Sequence, residues 1–263
     1  LLTSIEGVRG GGGDDSLTGD SGPNTLDGQG GDDTLNGLAA TGGAWTIDAT
    51  STYVSTNTLE FSGIDNLTGS SQADTFTLNA AATVDIDAGG DDDTITVNGV
   101  QITGTLNAGD GDDLFDFNGA VTTPLPTLDG GNHTTGDTLN LEDVTNDINL
   151  SLDAATNIET VIGTNGGNDT LTGTSNDDTF QVSTANDQGS VTGLITVDFQ
   201  KFENLAGSGG ADIFRFQNGL GLTGTVDGGD GTDLLDYSLY SSTTDVTVNL
   251  STGSATNVAG GAA

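Results

Sequence analysis

Residues 10 to 36 read GGGGDDSLT, GDSGPNTLD and GQGGDDTLN, three consecutive units of nine residues. A Gly opens each unit and stands again at its fourth position; Asp or Asn fills the sixth and Leu the eighth. Self-similarity at a fixed period predicts a solenoid, because one such unit cannot bury an apolar face until its neighbours stack on it. Gly228 to Asp236 (GGDGTDLLD) fits the same pattern at every position.

Further along, the pattern continues at wider spacing. Its sixth-to-eighth positions recur as Asp74-Thr75-Phe76, Asp93-Thr94-Ile95, Asp113-Leu114-Phe115 and Asp137-Thr138-Leu139, and later as Asp169 with Leu171, Asp178 with Phe180 and Asp212 with Phe214. Between loops, apolar residues alternate with period two, as in Ile95-x-Val97, Phe115-x-Phe117 and Ile148-x-Leu150-x-Leu152. Short alternating runs bounded by Gly and Asp predict strands, not helices. The fold expected is all-β: a parallel β-roll or β-solenoid of about 18–20 residues per coil, with Gly/Asp loops stacked along one or two edges.

A larger repeat overlies the small one. Phe61 to Leu78 (FSGIDNLTGSSQADTFTL) aligns without gaps with Phe199 to Phe216 (FQKFENLAGSGGADIFRF). A shorter signature, apolar-acid-x-apolar-x-Gly, begins at Ile5, Ile64, Ile158 and Phe202 and leads each time into an Asp-Gly loop. No linker rich in Pro or charge separates the copies, so residues 1–263 read as one continuous domain. The ends also match: DVTVNLSTGSATNVAGGAA is the first half, and LLTSIEGVRGGGGDDSLTG the second half, of the internal unit Asp147 to Gly173. The opening has neither a Met nor a basic n-region, and the chain reads as one period, or a cut, of a tandem array.

Composition narrows the function. Lys and Arg total 3 against 39 acids, of which only five are Glu, and the formal net charge is −36. Asp favours turns over helices. Nothing here neutralises a phosphate backbone or holds anionic lipid, which excludes nucleic acid and electrostatic membrane attachment. No apolar run is long enough to insert in a membrane, and without Cys there is neither a disulfide nor a thiolate zinc site.

The loops offer a different chemistry. In VDGGDGTD (226–233) an acid stands just before the loop and Asp233 six residues after it. Asp227 holds that first position here, and Asp27, Asp87, Asn107 and Asp129 hold it elsewhere. Glycine permits backbone that turns carbonyls inward. Stacked about 4.8 Å apart, such loops predict cages of hard oxygens, which suit calcium and offer nothing to soft metals.

These stretches, 10–36, 164–181 and 228–236, resemble the calcium-binding nonapeptide of the RTX (repeat-in-toxin) proteins, GGxGxDx(apolar)x. The spacers resemble those of large secreted RTX and adhesin-like bacterial proteins, and the likeness is weakest at 38–60 and 183–200. The resemblance implies several Ca²⁺ ions, each between two turns. Asp15, Asn24, Asp33, Asp169, Asp178 and Asp233 are implied as side-chain ligands, with Gly11, Gly13, Gly31, Gly229 and Gly231 as carbonyl donors. The same position adds Asp74, Asp93, Asp113 (with Gly111), Asp137 and Asp212. Departures are Asn24 for Asp, the loss of two glycines in Gly69 to Thr77, and the insertion of HTT after Asn132.

Other residues read as ordinary. His133, the only histidine, sits in that insertion without a nucleophile motif and is expected at the surface. Trp45 is expected inside a coil, and Arg9, Lys201 and Arg215 as local charge partners. The chain is thus expected not to be an enzyme. It reads as a calcium-binding structural or adhesive segment of a secreted bacterial surface protein, exported unfolded by a type I channel and associating with copies of itself or with a surface or glycan target. A noncatalytic module of a secreted protease, lipase or epimerase is the alternative. An ice-binding face is the weakest, since Thr94-x-Thr96 and Thr170-x-Thr172 do not recur coil after coil.

Overall fold

The computed structural model describes residues 5–38, 42–55, 57–259 and 261–262. The chain forms two compact units, residues 1–139 and 140–263.

In residues 1–139 each coil contributes to two ladders of parallel strands. One ladder runs through Ser16–Thr18, Thr34–Asn36, Asn66–Ser70, Asp85–Gly90, Thr105–Asp110 and Thr127–Asn132. Leu17, Leu35, Leu67, Ile86, Leu106 and Leu128 stand in one register across it. The other holds Trp45, Phe76, Ile95 and Phe115 in register, all fully buried, with the Trp45 and Phe76 rings stacked at 5.3 Å. Alternation is the cause: in Thr94–Asn98 the side chains of Ile95 and Val97 fill the coil while Thr94 and Thr96 face outward. Each fully buried Phe or Leu contributes about 1.5–3 kcal/mol.

Glycine sets how closely coils stack. Gly89, Gly109 and Gly131 lie in register at φ of 114°, 107° and 97°. A Cβ on Gly109 would stand 2.2 Å from the Gly89 carbonyl oxygen, and one on Gly131 2.0 Å from that of Gly109. At these three positions no other residue fits without moving the coils apart, and the row ends at Ser70, which pairs with Gly89.

The long parallel ladders are those of the expected β-roll, and two short stretches within them pair antiparallel. Ala44–Ile47, Thr52–Val54 and Thr58–Ser62 form an antiparallel meander, as do Thr179–Ala185, Gln188–Thr192 and Thr196–Gln200. These are the two regions of weakest resemblance. A short connection returns the chain beside the strand it has just left, so the pair is antiparallel, whereas a parallel step needs a whole coil.

In residues 140–263 the strands Asn149–Ser151, Thr170–Thr172, Asn204–Ala206 and Thr225–Asp227 pair in parallel, with Leu150, Leu171, Leu205 and Val226 in register. Ile213–Phe216 pairs in parallel with Thr179–Ala185 and Leu234–Asp236, and the rings of Phe180 and Phe214 stack at 4.9 Å. The two long sequence copies occupy equivalent places. Phe61, Leu67, Phe76 and Leu78 are core residues of the first unit, and Phe199, Leu205, Phe214 and Phe216 of the second. Each copy starts on the last strand of a meander. Leu152–Ala154 is a 3-10 turn, and no helix among the described residues is long and apolar enough to cross a membrane.

Candidate metal centres on the loop edges

Each Gly/Asp loop ends where a strand begins, and the Asp at that junction stands two residues before an inward apolar side chain. Strand alternation therefore turns it inward as well. Asp33, Asp74, Asp93, Asp113, Asp137, Asp169, Asp178 and Asp212 are all buried. Backbone amides meet them across the stack. The Asp15 amide donates to Asp33 Oδ1 at 2.8 Å, Asp74 to Asp93 at 2.6 Å, Asp93 to Asp113 at 2.6 Å and Asp113 to Asp137 at 2.7 Å. In the second unit the Asp178 amide donates to Asp212 Oδ1 at 2.8 Å, and Asp212 to Asp233 at 3.0 Å. Each carboxylate so accepts the amide of the Asp one coil earlier.

The remaining carboxylate oxygen divides the row. Asp15 Oδ2 accepts the Gly11 amide at 2.6 Å, and Asp169 Oδ2 accepts that of Thr164 at 2.7 Å. Asp74 Oδ2 accepts both the amide and the hydroxyl of Ser70. These acids close their own loops. By contrast, Asp33 Oδ2, Asp93 Oδ2, Asp113 Oδ2 and Asp212 Oδ2 are buried with no hydrogen-bond partner among the described residues, as is Oδ1 of Asp178, whose Oδ2 closes its own loop through Thr174. Leaving a carboxylate oxygen buried and unmet is costly.

Basic side chains do not answer this need. Arg9 bonds Asp27, Lys201 bonds Glu142 and Arg215 bonds Asp236, all away from the row. His133 Nδ1 lies 3.7 Å from Asp137 Oδ2, and its side chain is largely at the surface as expected. Burial, reinforced by Asp113 and Asp74, pushes Asp93 up to about 8. Burial likewise pushes Asp113 up to about 6 and raises Asp178, Asp212 and Glu203. Oxygen-only donors, buried and short of positive charge, fit a hard divalent cation such as calcium.

A second row escaped the sequence reading. Asp14, Asp92, Asp147 and Asp177, each immediately before a candidate acid or its strand, accept amides in the opposite sense. Asp14 Oδ1 takes the Asp32 amide, Asp92 Oδ1 that of Asp112, Asp147 Oδ1 that of Asn168 and Asp177 Oδ1 that of Ala211, at 2.8–3.2 Å. Asp112 Oδ1 takes three, from Thr134, Thr135 and Gly136, and these hold its carboxyl well below the usual range. The doubled Asp-Asp in the sequence was the available signal: one acid ties to the coil before, the other to the coil after. The signature acids also find a role. Asp65 accepts the Asp33 amide at 3.1 Å and Glu203 the Asp169 amide at 2.8 Å, continuing the inner row past each meander.

The other candidates separate from this row. Asp87, Asn107 and Asp129 lie in register on the outward side of their strands, with Asn107 Nδ2 donating to Asp87 Oδ1 at 3.3 Å. Asp27 is engaged by Arg9 and Gln29, and Asp227 by the Gly229 amide. The structure thus does not bring the acids before the loops into the buried row. Asn24 is buried but closes its own turn, accepting the Asp20 amide at 2.8 Å. Of the expected carbonyl donors, Gly11 O is held by the Gly30 amide, and Gly13 O lies 2.5 Å from where a Cβ on Gly31 (φ 127°) would sit. Gly229 and Gly231 have φ of 83° and 141° and press against Ser208 and Gly210, while Gly111 presses against the Asp91 carbonyl. Thr94 and Thr96 pair with Thr75 and Thr77, but Leu114 and Asp116 end that threonine row one coil later.

A family model, the RTX calcium-binding nonapeptide repeat in four copies, matches residues 9–40 and 163–188. That repeat is a noncatalytic calcium-binding module found in secreted bacterial proteins. A search of curated proteins returned no match.

Proposed function

From the premise that this chain is a calcium-binding segment built on RTX repeats, we propose that it is a structural and adhesive part of a secreted bacterial surface protein, and that it folds when it binds several calcium ions. The observation that carries this is the set of five buried carboxylate oxygens that meet no donor: those of Asp33, Asp93, Asp113, Asp178 and Asp212. These residues would hold the ions, helped by loop carbonyls such as that of Gly13. Asp74 and Asp169, whose oxygens are both taken by N–H or O–H donors, act as turns that need no metal.

Bound calcium supplies two positive charges and accepts about six to eight oxygens. The chain's own part is to hold the carboxylates in place, aligned by the amides of the neighbouring coil and shielded from water, where burial favours their protonated form until a cation replaces the proton. With 39 acids against 3 basic residues, the same acids repel one another in a calcium-poor cytosol. That keeps the chain extended for export by a type I channel and lets it fold in the calcium-rich exterior.

Far-UV circular dichroism during EGTA treatment and calcium re-addition tests this reading. The expected result is loss and full recovery of the β signal, with more than one ion bound per chain by equilibrium dialysis. A β spectrum indifferent to chelation would sink it.

A further inference from the structure

The two ends of the chain expose residues whose internal counterparts are buried. DINLSL (147–152) and DVTVNL (245–250) share one pattern. Ile148, Leu150 and Leu152 are 2–3 % exposed, whereas Val246, Val248 and Leu250 are 41–84 % exposed. IETVIG (158–163) and IEGVRG (5–10) share another: Ile158 and Val161 are at most 2 % exposed, Ile5 and Val8 39–49 %. Exposed apolar clusters of this kind mark interaction surfaces.

The internal copy shows what covers such a strand. Asn149–Ser151 pairs in parallel with Thr170–Thr172, which sets Leu171 against Leu150. Asp169 Oδ1 accepts the Ile148 amide at 2.8 Å, and Asp147 Oδ1 accepts the Asn168 amide at 3.2 Å. At the C-terminal end Val248–Asn249 pairs only with Ser254–Ala255 among the described residues, and Val248 and Leu250 line a groove of about 610 Å³ with Phe214, Leu234 and Leu235. The segment that covers Leu150 reads GGNDTLTG (166–173), and its closest counterpart near the N-terminus is GGDDSLTG (12–19).

We propose that this groove seats the N-terminal edge of a second copy of the chain, docked in the sense in which one coil follows another. Ser16–Thr18 of the second copy lies along Val248–Asn249 with Leu17 over Val248, and its Asp15 accepts the Val246 amide. Its Glu6 accepts the Asp233 amide, the part that Asp65 and Glu203 play for Asp33 and Asp169. Opposite surfaces meet, so the contact is head-to-tail and open-ended. The inference rests on the calcium-folded reading above, since only folded coils present these edges.

Sedimentation velocity of the full chain in calcium tests it. Wild type should form species of two and more chains that grow with concentration. Ile5→Asp with Val8→Asp, and separately Val248→Asp with Leu250→Asp, should each run as single chains, with association weakened about tenfold or more per substituted side chain. All four positions are exposed, so the fold should persist; Glu6→Gln, milder still, should weaken association about tenfold. Mixed together, the two double variants should form a one-to-one pair and nothing larger, because each keeps one intact end. Wild type that stays a single folded chain at every concentration overturns the inference, as does self-association of either double variant alone. Circular dichroism on the same samples keeps the two readings apart: a folded single chain sinks only the docking, whereas a chain unfolded in calcium sinks the reading beneath it.

Discussion

Residues 10–36 and residues 74–137 make the same kind of edge from unlike sequences. The first stretch carries the nonapeptide three times over; the second carries it thinly and lies outside the family match. Yet the second holds Asp93 and Asp113, both buried with an oxygen that meets no donor, while the first holds only Asp33. Asp15 is half-buried and closes its own loop through the Gly11 amide. The glycines of the motif report the backbone of a tight turn. Whether the acid is desolvated depends on folded coils on both sides of it.

Removing the acids strains this contrast most. In calcium, Asp93→Ala with Asp113→Ala should cost about 3 kcal/mol or more in urea unfolding, against about 1 kcal/mol for Asp15→Ala. Equal losses would break the distinction. Glycine comes next. Gly89→Ala places a Cβ 1.9 Å from the Ser70 carbonyl oxygen at φ 114° and should cost about 2–4 kcal/mol; Gly13→Ala, with nothing within 4 Å, should stay within about 0.5 kcal/mol. Thermal melts of the two variants check this.

Acid titration gives a smaller and more diagnostic effect. Burial holds Asp93 near 8 and Asp113 near 6, against 3.8 for an ordinary Asp. Their folded pKa values are raised, so the folded chain keeps protons that the unfolded chain releases. Without calcium, these two groups therefore cost the fold nothing at acid pH and progressively more as pH rises from 3.8 through about 6 and on to about 8. The β signal of the calcium-free chain should therefore be kept at acid pH and fall away over that window, and Asp93→Asn should flatten the fall. Calcium should reverse the trend, because its affinity rises as the carboxylates ionise. The smallest change is Arg9→Ala, which removes an exposed pair with Asp27 and should cost no more than about 1 kcal/mol in the same melts.

Much of the fold was legible because its two determinants are periodic. Alternation placed Ile95, Phe115 and Leu171 inside, and the Asp two residues before each followed them inward. The meanders were harder. Thr52–Val54 and Gln188–Thr192 alternate like any other strand, and only the brevity of the turns beside them makes the pairing antiparallel. The site was half legible. The sixth-position acids could be picked out, but Asn24 holds the same position and closes its own turn, and Asp27 and Asp87, just before their loops, lie outside the buried row. Asp14, Asp92, Asp112 and Asp177 carried no sequence signal of their own beyond the doubled acid, since their partners are amides a whole coil away in the chain.

Those opposed amide bonds have a consequence for how the molecule melts. Because adjacent acids reach in both directions, a coil in the middle of a stack is coupled to two neighbours, and a coil at an end to one. Such an array behaves like a one-dimensional lattice with nearest-neighbour terms, in which stability grows with the number of interfaces. Loss of order therefore starts at the ends and advances inward one coil at a time, and each added coil raises the melting temperature by less than the one before.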